Sequence, residues 1–171
     1  MIDFTKPEYL TSGTDKQKRV YTVLTENRTF EKLKPFDPIL TGTIPINIDI
    51  DTSDLDIVCC FTDAKSFEAH LVDSFSHEQN FKIFIPRHPG SVSASFTLDG
   101  FVVEIFGQAI PTREQAAYRH MIVEHKILQK KGESFRQQII ELKKQGYKTE
   151  PAFGKLLGIE GNVYEELLKL F

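Results

Sequence analysis

The sequence predicts an α/β (α+β) fold: a mixed β-sheet flanked by helices, with a helical segment at the C-terminus. Three observations predict it. Apolar residues recur at helical spacing towards both ends of the chain, β-branched and apolar runs fill the middle, and Asp99-Gly100 lies between two such runs. Asp-Gly between β-formers is the strongest short-range signal for a hairpin. A chain of 171 residues with 40% hydrophobic content is long enough to bury one full core and too short for two typical domains. One globular unit is expected, with an α/β core over 1–110 and a helical segment over 111–171 packed on it.

From Thr14 to Leu33 the apolar positions Val20, Val23, Leu24, Phe30 and Leu33 stand mostly at helical separations, behind a cap at Thr14 or Asp15. They predict one or two helices ending before Pro35. Next, Ile44, Ile46, Ile48 and Ile50 alternate with Pro45, Asn47, Asp49 and Asp51, a period of two that predicts extended chain, weakened by Pro45. Leu55 to Phe61 reads as a central strand and Ala64 to Phe75 as a short amphipathic helix. Residues 81 to 87 read as a strand ended by Pro86, and the runs around Asp99-Gly100 as a hairpin. The sheet therefore has four or five strands with an antiparallel portion. Beyond Pro111 a long helix capped by Thr112 is expected, then a second from Ser134 to Gln145 stopped by Gly146, then shorter pieces near Ala152 to Leu157 and Val163 to Leu170.

Composition narrows the function. The net charge of −3, with no Lys/Arg block, disfavours long DNA or RNA as a ligand. Cys59 and Cys60 are adjacent and cannot staple distant segments, so they read as reduced thiols of a cytoplasmic protein. No apolar window is long enough to span a membrane, and the N-terminus lacks a basic stretch followed by an apolar run.

The chemistry lies in the acids. Residues i and i+2 of a strand point to one side, so Asp54 and Asp56 project together about 7 Å apart, while Leu55 and Ile57 face the core. Two carboxylates so placed repel each other unless water screens them or a cation lies between them, and a hard divalent ion resolves the repulsion. Glu104, between Val103 and Ile105, is an acid inside an apolar run. Either acid motif alone is more often a solvated strand position. Gly42-Thr43, twelve residues ahead of Asp54, adds a glycine and a hydroxyl of the kind that let backbone N–H groups approach a phosphate.

LTGT, SDLDI and VVEIF together resemble the nucleotidyltransferase superfamily that includes polymerase beta, over about residues 38 to 108. Its pattern is a hydrophobic residue followed by Gly-[Gly/Ser], a spacer of about a dozen residues, Asp-x-[Asp/Glu] between hydrophobics, and a later acid on a neighbouring strand. GTIPINID, SDLDI and the later AAYRHM also resemble a family of small bacterial proteins, domain of unknown function 4269, assigned to that superfamily. The resemblance implies that Asp54, Asp56 and Glu104 are catalytic and hold Mg²⁺ or Mn²⁺ against a nucleoside triphosphate. It also implies phosphate contacts from Gly42, Thr43 and Ser53. Arg87 and His88, at the end of the strand over 81 to 87, either balance the charge of the triphosphate or acceptor or are solvated loop residues. Thr43 departs from the pattern, and the spacer reads as alternating rather than as a short helix.

The implied function is transfer of a nucleoside monophosphate from a triphosphate to a hydroxyl, on a small molecule before a protein or an RNA end. The alternatives are an inactive nucleotide- or metal-binding module and a toxin–antitoxin component. Three further features have two readings each. Asp49 and Asp51 either supplement the metal site or form a polar strand face. His120 and Glu124, at i and i+4, either line the acceptor cleft or form an exposed helix pair, and match no recognised zinc-site spacing. Cys59 and Cys60 are expected to be core neighbours rather than nucleophiles.

Overall fold

Five strands form one sheet in the computed structural model of the chain, which describes residues 2–84 and 90–171. They are β1 (Ile39–Thr41), β2 (Leu55–Cys60), β3 (Gln79–Phe84), β4 (Ser91–Leu98) and β5 (Phe101–Gln108), in the order β1-β2-β5-β4-β3. β2 and β5 run parallel and every other pair is antiparallel, so the sheet is mixed, as expected. The β4–β5 hairpin turns on Asp99 (φ 47°) and Gly100 (φ 86°), both left-handed as a tight two-residue turn demands.

Before the sheet come α1 (Asp15–Glu26) and α2 (Thr29–Leu33). Thr14 caps α1 reciprocally: its hydroxyl accepts from the Gln17 N–H at 3.3 Å while the Gln17 side chain accepts from the Thr14 N–H at 2.9 Å. α3 (Ala64–Phe75) joins β2 to β3 and spans the residues its apolar spacing predicts. The C-terminal segment holds α4 (Ala116–Lys131), α5 (Glu133–Lys144), α6 (Thr149–Leu157) and α7 (Val163–Leu168). None of the described helices is long and apolar enough to cross a membrane.

The sheet has two unlike faces. In register across it, Leu40, Ile57, Ile105 and Ala94 point one way, as do Leu55, Val103 and Phe96. This face is buried under Val20, Val23 and Leu24 of α1 and Phe67, Leu71 and Phe75 of α3. Gly107 lies on it, where a β-carbon would collide with the Phe67 ring. The other face carries Thr41, Asp56, Glu104 and Ser95 in one row and Val58, Phe106 and Ser93 in the next. A second apolar cluster, built mainly from α4 to α7, stands over that face.

Two expectations are corrected. Residues 44 to 50 are not extended: residues 44–47 form a turn, with Asn47 left-handed (φ 57°), and 48–50 are irregular. Pro45 has no N–H to give a ladder, and the isoleucines alternate because the loop wedges between two cores. Ile44 enters the cluster under the sheet, while Ile46 and Ile48 enter the helical cluster. Asp49 and Asp51 are accordingly loop residues, and Asp49 pairs with Lys16 at 2.9 Å. Nor does Thr112 cap the long helix. It begins a short 3-10 turn and its hydroxyl donates to the Asp37 carboxylate, while α4 starts after Gln115. The buried Gln115 side chain donates to the carbonyls of Cys59 (2.8 Å) and Ile110 (2.9 Å), which pins the start of α4 to β2.

Candidate active site

Parallel pairing of β2 with β5 makes Asp56 and Glu104 direct neighbours, so both side chains leave the same face of the sheet. Asp54 lies just ahead of β2, which begins at Leu55, and its charge acts on both of the others. Burial, then the charges of Glu104 and Asp54, push the Asp56 carboxyl up to about 7. Burial, then Asp54, raises Glu104, and burial raises Asp54. The three acids thus share one electrostatic field, although Asp54 lines a separate depression of about 490 Å³ with Ser53, Lys16 and Arg19.

Gly42 follows β1 at φ 79°, and a β-carbon there would collide with the Asp56 carboxylate. Glycine is required by that approach as well as by its dihedral. Thr43 and Ser53 close the loop between β1 and β2: the Thr43 hydroxyl donates to Ser53 Oγ at 3.2 Å, and Ser53 Oγ accepts from the Ile50 N–H at 2.9 Å. Donors from helices hold the loop's carbonyls. Gln17 reaches Ile44 (2.8 Å) and Pro45 (3.2 Å), Lys16 reaches Ile50 (2.8 Å), Lys143 reaches Ile48 (2.8 Å), and Arg136 reaches Ile46 and Asn47. Arg87 and His88 lie outside the described residues. Cys59 is buried in the core and Cys60 half-buried, both as free thiols, and burial raises both.

Asp56, Glu104, Gly42 and Thr43 line a cleft of about 470 Å³ whose far wall is α4 and the start of α6, within the size range of small-ligand sites. Here the exposed-pair reading of His120 and Glu124 is overturned. They are 7% and 4% exposed, and together with Glu150 they face the cleft. Burial pushes His120 down and raises Glu124 well above the usual carboxylate range. The pair is covered because α4 lies against β1 and its i, i+4 face turns towards the strand acids rather than towards solvent. Among the described residues, the three metal-type ligands whose donor atoms all lie within 4.8 Å of one another are His120, Glu124 and Glu150.

Two positions near the acids had no usable signal in the sequence. Lys143 reads as one of two consecutive lysines closing a helix, yet it is buried behind the loop. Burial drops its ammonium to about 8 against the upward pull of Asp49, Glu124 and Asp56. It is the cation that most lowers Asp56. Glu150 opens α6 and comes to the cleft through helix packing alone.

A profile for the family described as Domain of unknown function (DUF4269) matches residues 22–170. Comparison with curated proteins finds no match. Among solved structures, Cid1, described with RNA terminal uridylyl transferase activity, aligns with a TM-score of 0.61 at 11% identity, over 88% of this chain and 52% of its own. The Cid1 poly(U) polymerase bound to MgGTP gives 0.62 at 12% identity, over 88% and 53%. The GLD-2/RNP-8 complex gives 0.59 at 12% identity, over 89% and 63%. The chain spans about half the length of the Cid1 chains it matches, and at these identities what is shared is the fold.

Proposed function

Because this chain belongs to the family described as Domain of unknown function (DUF4269) and has a polymerase-beta-like nucleotidyltransferase fold, we propose that it moves a nucleoside monophosphate from a triphosphate to a hydroxyl group. The observation that carries this reading is the side-by-side placement of Asp56 and Glu104 on parallel strands, facing a cleft, with Asp54 in the same field. In the reaction the acceptor oxygen bonds to the α-phosphorus as the bond from that phosphorus to the β-bridging oxygen breaks. Pyrophosphate leaves, and Glu104 takes the hydroxyl proton.

The donor set fits Mg²⁺ or Mn²⁺. Asp54, Asp56 and Glu104 offer only hard oxygens, and their repulsion favours bound positive charge, which a divalent cation supplies. Such an ion, held by those three residues, supplies polarisation of the α-phosphate and neutralises the leaving pyrophosphate. The cleft's described lining includes four carboxylates and no lysine or arginine, so a triphosphate entering it needs that compensation. Gly42 lets the chain pass close to Asp56, while Thr43 and Ser53 present hydroxyls from one braced loop for phosphate contact. Lys143 holds Asp56 towards its ionised form from behind.

A small molecule is the favoured acceptor. The cleft's volume suits a small ligand, and its described lining offers no lysine or arginine to hold a polynucleotide backbone. An RNA end is the second reading, favoured by the fold shared with Cid1, which is described with RNA terminal uridylyl transferase activity and as a poly(U) polymerase. The test is incubation with Mg²⁺, each labelled triphosphate and a cell extract, beside an Asp54→Asn control. Metal-dependent pyrophosphate release with label transfer supports the enzyme, and the mass of the labelled product separates small molecule from RNA or protein. No transfer with any triphosphate would favour the binding-module alternative.

A further inference from the structure

We propose that His120, Glu124 and Glu150 form a second divalent-metal site, of transition-metal type, on the helical wall of the cleft across from the strand acids. The i, i+4 spacing stacks His120 and Glu124 on one face of α4, and Glu150 comes to them from the first turn of α6. One donor atom from each lies within 4.8 Å of the other two. Proximity of acids is not by itself a site, and the second observation is what these side chains lack. His120 Nδ1 and Glu124 Oε1 are both fully buried and have no hydrogen-bond partner among the described residues. Each such atom costs about 1–3 kcal/mol when left unsatisfied, more where it is charged, and both belong to side chains more than nine-tenths buried that line the cleft.

The nearby cations do not meet that need. Lys143 acts on Glu124 only through charge, and its ammonium already donates to the Ile48 carbonyl. Arg119 is exposed and acts on His120 as a like charge. The Tyr164 ring stands edge-on to the imidazole at 6.1 Å between centroids, fixing its plane without giving it a polar partner. One imidazole nitrogen with two carboxylates selects a borderline ion such as Zn²⁺, whereas Mg²⁺ prefers oxygen alone. Three protein ligands leave a position open to the cleft, as in zinc sites that bind substrate. The two sites therefore differ in metal preference, and this one stands on its own geometry whether or not the strand acids catalyse nucleotidyl transfer.

The test uses the full chain, stripped with chelator and titrated calorimetrically with Zn²⁺ in the presence of excess Mg²⁺. The Asp54→Asn/Asp56→Asn double variant removes two of the three strand acids and is expected to keep one equivalent of bound Zn²⁺. Glu150→Gln alters a half-exposed residue, so folding is not at risk, and is expected to weaken that binding at least ~100-fold, beyond what loss of an outer partner costs. His120→Asn is expected to do the same and to abolish the visible absorption of bound Co²⁺. In crystals soaked with Zn²⁺, anomalous scattering is expected between the three side chains. Zn²⁺ binding that survives Glu150→Gln unchanged, or is absent from the double variant, or anomalous density at the strand acids alone, overturns the proposal.

Discussion

The two faces of the one sheet are built to opposite rules. On the face under α1 and α3, Leu55, Ile57, Val103 and Ile105 are all fully buried, and every neighbour across the strands is apolar. One residue along each strand, Asp56 and Glu104 stand side by side on the cleft face, both raised in pKa by burial first, then Asp56 by Glu104 and Asp54, and Glu104 by Asp54. The first face lowers the free energy of the fold, and the second raises it. Strain of that kind is kept where chemistry uses it, so substitutions should separate the faces: those on the apolar side should cost stability, and those on the acidic side should cost activity.

The largest effect expected is Asp56→Asn, which should lower nucleotidyl transfer by about 1000-fold or more, since one charge of the metal-holding set is lost. The same variant should melt no lower than the parent. Unfolding by Asp56→Asn, read by circular dichroism, would erase the distinction between the faces. Next, Ile57→Ala, one residue along β2 and pointing the other way, should cost about 3 kcal/mol in denaturant unfolding while leaving KM for the triphosphate unchanged in the folded fraction.

A pH effect sharpens the contrast. The Asp56 carboxyl stands near 7 in the fold against an ordinary 3.8, so the folded chain keeps a proton that the unfolded chain releases between those values. Stability fully present below about pH 4 is therefore lost as pH rises through 7 in chelated protein. Added Mg²⁺ should restore it at pH 8, and Asp56→Asn should flatten the profile; a parent and variant with the same pH–melting curve would contradict this. The smallest effect is Gly42→Ala, about 1 kcal/mol in stability from its left-handed backbone, joined by a fall in activity because the new methyl displaces the Asp56 carboxylate. Loss of stability without loss of activity would mean that Gly42 serves only the turn.

Much of this arrangement was legible in the residues. The hairpin at Asp99-Gly100, the helix from Ala64 to Phe75 and the Thr14 cap are local: neighbours in sequence supply the turn residues, the periodicity and the capping box. The side from which Asp56 leaves was legible for the same reason, since the alternation of a strand assigns Asp56 and Leu55 to opposite sides, whereas Asp54, expected beside it on the strand, lies ahead of β2 and lines another depression. The segment from Ile44 to Ile50 misled because alternation also arises when a loop inserts its side chains between two cores, and no local feature tells the two apart. His120 and Glu124 read as a solvent-facing pair because their cover comes from a sheet and a helix distant in sequence.

By itself, then, the order of residues determined most of the helices and strands, the family the chain belongs to, and the side of β2 from which Asp56 leaves. Those properties depend on spacings of two to four residues and on short motifs, which survive in a linear reading. Only the tertiary structure decided that β5 lies beside β2 and so pairs Glu104 with Asp56, that Lys143 is buried behind them, and that His120, Glu124 and Glu150 converge on the opposite wall. Each of these joins residues tens of positions apart, and packing of whole elements against one another, rather than any local preference, sets their distance.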